Sequence, residues 1–521
     1  MRRTALWTDE EPQRQRASMR EWLGFMGLGA LQTLAFVYSD VAWWLPVVTL
    51  AVLVYRLNRV VTSSAARIGW AYALGWLIAG VWWLFISMYR YGNLSAPLSA
   101  AALFALCAAL ALYYGVATAA YAACRSGRPG TDALVFAALW TLAEWARADW
   151  FTGFPWVALG YAWVDAPLVW AAPWVGVYGL GFMVAWAAAS LANLRAWSAQ
   201  GRALVLSAWL GLTLWTAWWP VYPFTQPNGE LSVSLLQTNV DQQDKFSLDR
   251  LPELLDELAV GLEQAQGDLV MAPETAVPLL PAQLLQLAPG WWEGLVAHFQ
   301  QAGRAALVGV PLGSLQEGYT NSVLGLSDQP LYRYDKHHLV PFGEFIPVGF
   351  RWFTEMMNLP LGDFDAGPLA PESFEFKGQR IAPNVCYEDL FGEELAARMV
   401  RSEHAPTILA NFSNIAWFGH TVALPQHLNI TRMRTVELQR PMLRATNTGV
   451  TAVVTHEGRV AAELPVLTAG VLEASVQGRV GTTAYAWWAG HWGLWPLVTL
   501  CMAIVAAAWA SKRRRTGPAY P

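Results

Sequence analysis

Long apolar runs separated by short polar connections dominate the first 219 residues of the chain. A helix that crosses a membrane needs about 20 mainly apolar residues. Seven stretches before residue 220 and one near the end come close to this length or exceed it. The pattern therefore predicts eight spans, at residues 22–38, 41–57, 68–88, 97–123, 132–148, 168–193, 203–219 and 487–511.

Between residues 220 and 486 the pattern changes to short apolar runs that alternate with helical and polar segments. Residues 231–237 alternate in the manner of a strand, whereas residues 251–266 repeat leucine at helical spacing. Buried strands that alternate with helices are typical of a layered α/β fold. Further runs of strand length lie at 268–272, 305–310, 331–335, 381–385, 407–410 and 451–455.

Composition and charge agree with a membrane bundle joined to an exposed domain. Hydrophobic residues make up 55% of the 521 residues, charged residues only 14%, and 30 residues are tryptophan, which concentrates at membrane interfaces. One set of connections and ends carries 16 lysines and arginines, while the opposite set carries only Arg90 and Arg147. Because positive charge stays in the cytoplasm, both termini are predicted to be cytoplasmic. The predicted domains are a bundle at 1–219, an extracytoplasmic domain at 220–486 and a last span with a basic tail at 487–521.

The extracytoplasmic segment holds 16 Lys and Arg against 29 Asp and Glu, a formal charge of −13. So acidic a domain offers no electrostatic footprint for nucleic acid. The sequence has no phosphate-binding glycine loop, no CxxC and no HExxH, and its eight histidines lack metal-ligand spacing. We therefore predict neither a metal nor a nucleic-acid partner.

Cys386 is the only cysteine in the segment 220–486, because the other three lie in or beside apolar runs. A thiol without a disulfide partner is a candidate nucleophile, although free cysteines are also often plain core residues. Glu274 and Lys336 follow two other predicted strands. Side chains at the ends of separate strands can converge on one pocket, but an isolated Glu or Lys is more often a surface charge or part of a structural ion pair.

Three segments around these residues resemble the signature segments of the nitrilase, or carbon–nitrogen hydrolase, superfamily: 269–275 (LVMAPET), 334–347 (YDKHHLVPFGEFIP) and 385–388 (VCYE). Nearly the whole chain is similar to the bacterial apolipoprotein N-acyltransferase family, in which a nitrilase-like domain precedes the last of eight spans. The resemblance extends over residues 82–92, 143–156, 414–419 and 433–450. It implies a helical membrane bundle with an αββα sandwich domain, located in the bacterial inner membrane with the catalytic domain in the periplasm.

The resemblance also implies a Glu–Lys–Cys triad that carries out acyl transfer without a cofactor. Cys386 would be the nucleophile, Glu274 the general base, and Lys336 the cation that stabilises the oxyanion together with the backbone N–H of Tyr387. The supporting carboxylates Glu344 and Glu388 would orient Lys336 and tune Glu274. Apolar residues that would contact the lipid or form movable lids are Phe342, Trp352, Phe353, Trp417 and Phe418; the alternative is that they only pack the domain onto the bundle.

The substrates implied by the resemblance are a phosphatidylethanolamine-like phospholipid as acyl donor and a diacylglyceryl apolipoprotein as acceptor. Two positions depart from the family: Ile415 stands where Asp is common, and Asp389 where an apolar residue is expected. One alternative is a membrane-anchored amidase of the nitrilase type, which would transfer the acyl group to water. Another is a transporter or scaffold, whose spans should contain ionisable residues. Glu144 and Arg147 are the main ones, and their spacing on one helix predicts that they pair with each other.

Overall fold

Helices form the N-terminal part of the chain and its C-terminal end, and two β-sheets form the segment between them. The computed structural model describes residues 16–218, 222–349, 351, 363–401 and 404–516. The N-terminal helices are α1 (Met19–Gln32), α2 (Ser39–Ala42), α3 (Leu45–Leu57), α4 (Thr62–Val81), α5 (Leu84–Ile86), α6 (Ala96–Cys124), α7 (Pro129–Asp149), α8 (Ala172–Ala192) and α9 (Ala199–Trp218).

The later helices flank the sheets and close the chain. They are α10 (Leu251–Gln264), α11 (Pro281–Leu287), α12 (Trp291–Ala302), α13 (Gly392–Arg401), α14 (Ala423–Leu438), α15 (Ala484–Trp492) and α16 (Trp495–Thr516). The strands are β1 (Thr225–Gln237), β2 (Leu269–Ala272), β3 (Ala305–Ser314), β4 (Gly318–Leu326), β5 (Tyr332–Asp335), β6 (Phe374–Phe376), β7 (Gln379–Val385), β8 (Ile408–Ser413), β9 (Met442–Thr446), β10 (Ala452–Val454), β11 (Val460–Glu463) and β12 (Gly470–Gly481).

Each predicted span overlaps a helix of the structure. Among the described residues, three helices are long and apolar enough to cross a membrane, namely Ala96–Cys124, Pro167–Ala192 and Trp495–Arg514, and the pair Thr62–Val81 and Leu84–Tyr91, bent by 61°, would make a fourth. Eight crossings therefore stay a prediction. The start of the last span was placed too early, because residue 487 belongs to α15. Gly493, at φ 58°, separates α15 from the long helix α16.

Two glycines let α1 and α4 approach closely. A Cβ atom on Gly29 would clash with the backbone carbonyl of Tyr72, and one on Gly75 would clash with that of Met26. Small residues permit such close contact between apolar helices, where packing supplies the association energy. The N-terminal helices therefore pack as one bundle with a shared core that includes Tyr72, Trp76 and Trp140.

Glu144 and Arg147 do not pair as predicted, since within the described residues no ion pair joins them. Arg147 donates to the Tyr114 hydroxyl at 3.0 Å and to the Trp156 carbonyl at 2.8 Å. Glu144 accepts from the Leu159 backbone N–H at 2.7 Å. Both side chains thus hold the buried connection between α7 and α8, whose backbone groups need partners inside the bundle.

The segment between α9 and α16 is a sandwich of two six-stranded sheets, in the orders β12-β1-β2-β3-β4-β5 and β11-β10-β9-β8-β7-β6. Apolar side chains from both sheets form the core between them, and helices cover the outer faces: α10 to α12 cover the first sheet, and α13 and α15 the second. This arrangement confirms the predicted αββα layers. Strands β1, β2 and β3 run parallel, as do β7, β8 and β9, so polar residues after β2, β7 and β8 can meet.

Candidate active site

The three predicted catalytic residues each follow a strand. Glu274 comes two residues after β2, Lys336 directly after β5, and Cys386 directly after β7. Cys386 has φ 53°, and Thr275, next to Glu274, has φ 51°. Non-glycine residues rarely adopt this left-handed conformation, and they cluster at functional sites. The chain therefore turns sharply at the two positions where a nucleophile and a base are predicted.

Lys336 is fully buried between two carboxylates. Its Nζ lies 2.9 Å from Glu344 and 3.7 Å from Glu274 Oε1. Burial alone would disfavour the ammonium form, but Glu344 and Glu274 outweigh it and raise the pKa of Lys336 above its ordinary value. Lys336 thus lies beside Cys386 as a cation, in direct contact with Glu344.

Two asparagines that the sequence analysis missed fix the carboxylate of Glu274. Asn321 Nδ2, on β4, donates to Glu274 Oε1 at 2.8 Å and to Glu344 Oε1 at 2.7 Å. The backbone N–H of Asn414, just after β8, donates to Glu274 Oε2 at 2.8 Å. Asn321 lies inside an alternating strand that resembles any other, so only the fold brings it to the site.

Lys245 is a second buried lysine beside Glu274. Its Nζ donates to the backbone carbonyl of Glu274 at 3.0 Å. Burial lowers the pKa of Lys245 to about 8, although the charge of Glu274 opposes the shift. Lys245 belongs to the short 3₁₀ turn Asp244–Phe246, about 30 residues before Glu274 in the chain, and no local pattern marked it.

Cys386 keeps part of its surface accessible, while its surroundings disfavour the thiolate. Burial raises the pKa of Cys386 well above its ordinary value, the charge of Glu274 adds to the rise, and Lys336 opposes it. The surroundings thus favour the protonated thiol over the thiolate. A protonated thiol needs a base to remove its proton during attack, and Glu274, whose ion pair with Lys336 is the longer of the two, is the candidate.

Glu388 supports the site differently from the prediction. It accepts from the Tyr334 hydroxyl at 2.7 Å and from the backbone N–H groups of Val385 at 2.6 Å and His337 at 2.7 Å. Burial raises its pKa, an effect that Lys336 and these hydrogen bonds oppose. Glu388 thus ties the residue before Cys386 to the residue after Lys336. It positions two catalytic backbones and does not contact the ammonium of Lys336.

Asp389 joins a second buried ion cluster, on the other side of the nucleophile turn. It accepts from His427 Nε2 at 3.1 Å, from Thr431 Oγ1 at 2.6 Å and from Arg444 Nη1 at 3.3 Å. Burial would raise the pKa of Asp389, but His427 and Arg444 hold it below its ordinary value. His427 Nε2 also lies 3.4 Å from the Cys386 carbonyl oxygen. The unexpected Asp389 is therefore the counter-charge of a fully buried arginine.

The site faces the helical bundle. Tyr387 donates its hydroxyl proton to the Gly153 carbonyl at 3.0 Å, and Tyr161 of the bundle donates to the Leu390 carbonyl at 3.2 Å. Gln426 on α14 accepts from Trp156 Nε1 at 2.8 Å. These hydrogen bonds join the nucleophile turn and its supporting helix to the connection between α7 and α8, so that the site lies where the domain meets the bundle.

The predicted lid residues differ in what they contact. Phe342 is partly exposed and has φ 61°. Trp417 packs edge-on against Tyr91, with ring centroids 5.3 Å apart. The ring centroid of Phe418 lies 4.3 Å from that of Trp83. In this conformation both aromatic residues of the loop after β8 pack the domain onto the bundle, as the alternative interpretation held. Trp352 and Phe353 lie outside the described residues.

The geometry combines a thiol, a carboxylate held by Asn321 and the Asn414 N–H, and a buried ammonium in one site. Such a set suits nucleophilic acyl chemistry, in which proton transfer and oxyanion stabilisation act together. Among the described residues, no group of three or more His, Cys, Asp or Glu side chains could hold a metal ion.

Comparison with known proteins identifies the family. The profile of the apolipoprotein N-acyltransferase N-terminal domain matches residues 28–190, and that of carbon–nitrogen hydrolases matches residues 232–485. An apolipoprotein N-acyltransferase of Verminephrobacter eiseniae is 46% identical over 91% of this chain and 93% of its own length, and one of Ralstonia nicotianae is 43% identical over 94% and 93%. A solved amidase structure from Nesterenkonia sp. matches with 18% identity and a TM-score of 0.37, covering 50% of this chain and 93% of the amidase. The chain therefore belongs to the apolipoprotein N-acyltransferase family.

Proposed function

We propose that this protein transfers a fatty acyl group from a phospholipid to the α-amino group of the N-terminal diacylglyceryl-cysteine of lipoproteins. The donor would be phosphatidylethanolamine-like, and a thioester on Cys386 would link the two half-reactions. The observation that carries the proposal is a partly accessible thiol at the end of β7, beside the Glu274–Lys336 pair, where the domain contacts an apolar helical bundle. Family membership supports the same reaction.

In the first half-reaction Glu274 takes the thiol proton as the sulfur attacks the ester carbonyl of the phospholipid. Lys336 stabilises the oxyanion, together with the backbone N–H of Tyr387. When the tetrahedral intermediate collapses, the ester C–O bond breaks and Glu274 returns the proton to the alkoxide. The products are a lysophospholipid and the S-acyl form of Cys386.

In the second half-reaction the lipoprotein amine attacks the thioester carbonyl and loses a proton to Glu274. The C–S bond then breaks, the thiolate regains the proton, and an amide forms. Both transition states place negative charge on the same carbonyl oxygen, so one fixed cation serves both steps. Acyl transfer between an ester, a thioester and an amide requires no oxidant or nucleotide, and the sequence predicts no cofactor.

The surrounding residues are proposed to fix the geometry of this chemistry. Glu344 orients Lys336, and Asn321 and Asn414 hold Glu274 so that an oxygen is directed toward the thiol. Glu388 fixes the backbones on either side of Cys386 and Lys336. Preorganised groups of this kind stabilise a transition state without reorganising during the reaction.

Both substrates carry acyl chains, which gives the helical bundle a role. We place the protein in the bacterial inner membrane as a multi-pass protein with cytoplasmic termini and a periplasmic catalytic domain. The division into residues 1–219, 220–486 and 487–521 is part of this proposal. Phe342, Trp352, Phe353, Trp417 and Phe418 are proposed to contact lipid at the entrance. The apolar helices and the interface between the bundle and the active-site loops support this placement.

A thioester that accumulates on Cys386 distinguishes the proposed transferase from an amidase, which would pass the acyl group to water. The test is intact-protein mass spectrometry of wild type and Cys386→Ala after incubation with phosphatidylethanolamine in detergent. We expect a mass increase of one acyl chain in wild type only, removable by hydroxylamine. Addition of a diacylglyceryl lipopeptide should discharge the adduct and yield the N-acyl peptide. Intact phospholipid and no adduct would refute the proposal.

A further inference from the structure

An apolar cleft of about 260 Å³ lies in the helical bundle, beside α9. Helix α9 packs on the 3₁₀ turn Pro167–Ala171 and leaves a gap toward α3 and α8. Trp209 of α9 contacts Trp186 of α8 with ring centroids 5.2 Å apart. The apolar walls include Val47, Trp163, Leu168, Leu191, Leu206 and Trp209.

This cleft is separate from the candidate active site. Near the N-terminal end of α8, the Val177 N–H donates to the carboxylate of Glu437 on α14 of the catalytic domain. The α8 residues that line the cleft, Ala187 to Leu191, come 10 to 14 residues later. At 1.5 Å per residue they lie about 15–20 Å farther along the helix. The cleft also extends to Trp163, Ala166 and Leu168 before α8, next to Asp165, which pairs with Arg432 of α14; none of the lining residues belongs to the candidate active site.

Two polar groups in the cleft wall, Ser190 Oγ and Trp209 Nε1, have no hydrogen-bond partner among the described residues. Ser190 is 1% exposed, and its Oγ is buried and unpaired. A hydroxyl buried against apolar walls costs free energy unless it is hydrogen-bonded. Its position in the wall indicates that an occupant supplies an acceptor oxygen at this depth.

Two arginines flank the same end of the cleft along the chain. Arg195 follows Leu194, a lining residue, and Arg202 lies one turn before Val205 and Leu206 on α9. Arg195 is exposed and Arg202 half-buried. Leu194 and Val205, which line the cleft, are therefore each within three residues of an arginine. Basic pockets between membrane helices bind anionic lipid head groups.

We propose that the cleft binds one phospholipid molecule that is not a substrate. An acyl chain lies in the slot, an ester carbonyl accepts from Ser190, and the phosphate lies near Arg195 and Arg202. The site depends on the bundle being in a membrane and not on acyl transfer by Cys386.

The test is native mass spectrometry of the full chain in detergent with added dioleoylphosphatidylglycerol. Wild type should retain one phospholipid through gentle activation. Leu206→Trp, which fills the cleft, should lower that occupancy at least fivefold. The matched control is Leu204→Trp, two residues away on α9, where the side chain is 71% exposed and does not line the cleft; this variant should retain the lipid.

Smaller changes test the polar end without filling the slot. Ser190→Ala should weaken binding about threefold, as expected for one lost hydrogen bond, and removal of each arginine about fivefold, in Arg195→Gln and Arg202→Gln. N-acyl transfer by all these variants should match wild type, which shows that they are folded. Equal retention by Leu206→Trp and wild type, or equal loss in Leu204→Trp, would overturn the proposal, as would a dimer mass in place of the lipid adduct.

Discussion

Cys386 lies between two buried ion clusters that differ in balance and in access. On one side Lys336 faces two carboxylates, Glu274 and Glu344, each 8% exposed. On the other side Arg444 is matched by a single carboxylate, Asp389, and neither is exposed at all. Lys336 thus has two carboxylate neighbours, with the buried Lys245 bonded to the Glu274 backbone carbonyl beside them, whereas Arg444 has one.

This difference separates a reactive cluster from a structural one. Burial and the charge of Glu274 raise the pKa of Cys386, and Lys336 opposes the rise. In the Asp389 cluster every charge already has its partner, and a proton transfer there would leave Arg444 buried without a counter-ion. Similar residue types therefore form a partly accessible cluster beside the thiol and a sealed cluster that holds the backbone behind it.

Removal of the cation should have the largest effect. Lys336→Met should lower the rate of N-acylation of a diacylglyceryl lipopeptide by about 10³-fold or more, because one donor to an oxyanion already contributes 10²–10³-fold. The substitution also brings Glu274 and Glu344 together without a shared cation. Initial rates under substrate saturation measure the loss.

Lys377→Met is the matched control, because Lys377 pairs with Asp268 on the surface of the same domain. Its rate should match wild type. If Lys336→Met kept more than a tenth of the activity, the oxyanion role of Lys336 would be wrong. The Lys336 cluster would then not differ from the Asp389 cluster in supporting the reaction.

Breaking the balanced cluster should affect stability more than chemistry. Asp389→Asn leaves Arg444 buried without its counter-charge, which costs about 3–5 kcal/mol in such cases. We expect a matching drop in the free energy of unfolding, measured in detergent with denaturant. Since His427 contacts the Cys386 carbonyl, kcat should fall as well, but by far less than in Lys336→Met.

The double variant Asp389→Leu with Arg444→Met removes both charges and should recover most of the lost stability. Asp268→Asn, which breaks the surface pair with Lys377, should change stability by less than about 1 kcal/mol. No recovery in the double variant would mean that the cluster does not act as a balanced pair.

The sequence predicted one side of this comparison and only hinted at the other. Glu274, Lys336 and Cys386 each follow a strand, but it was the resemblance of the surrounding segments to the nitrilase signatures that selected them together, and the structure brings Glu274 and Lys336 to one ion pair. Lys245, Asn321 and His427 reach the same centre from a 3₁₀ turn, a strand interior and a helix. These residues become neighbours only when the two sheets pack face to face, and no spacing in the sequence encodes that packing.

Asp389 and Glu388 illustrate a second limit. Asp389 was recognisable as unusual, but its partners Thr431 and Arg444 are 42 and 55 residues away, so its role required the fold. Glu388 was correctly placed near the catalytic residues, yet its hydrogen bonds go to backbone groups that carry no sequence signature. The predicted eight helical stretches were found because apolar length is a local property, whereas the buried connection between α7 and α8 depends on tertiary partners.

The effect of the Glu274 charge can be measured at the thiol itself. Because burial and Glu274 raise the pKa of Cys386, its reaction with iodoacetamide should be slow at pH 7 and should rise only above the pH at which an ordinary cysteine ionises, about 8.5. Glu274→Gln removes the negative neighbour, so the pKa falls and the rate at pH 8 should rise about threefold to tenfold.

Rates should be followed by peptide mass spectrometry, with Cys124, the other partly exposed cysteine, as internal control. Glu274→Gln should leave the rate at Cys124 unchanged. A slower reaction of Cys386 in Glu274→Gln would mean that Glu274 assists the thiolate in the resting state. The charge of Glu274 would then not raise the pKa of Cys386.

The smallest effect should come from the contact between the nucleophile turn and the bundle. Tyr387→Phe removes the hydroxyl that donates to the Gly153 carbonyl and leaves that buried carbonyl with one partner fewer. We expect a loss of about 1 kcal/mol in stability and a change in KM for the phospholipid larger than the change in kcat, because the backbone N–H at position 387 is retained. Tyr332→Phe is the control: its hydroxyl donates to the Glu372 carbonyl within the domain, away from the bundle. If both variants changed KM alike, the bundle contact would have no specific part in presenting the lipid. A change confined to Tyr387→Phe would mean that the hydrogen bond between Tyr387 and Gly153 aligns the thiol and Lys336 with the membrane. The Asp389–Arg444 pair would then hold the nucleophile turn in place from the other side.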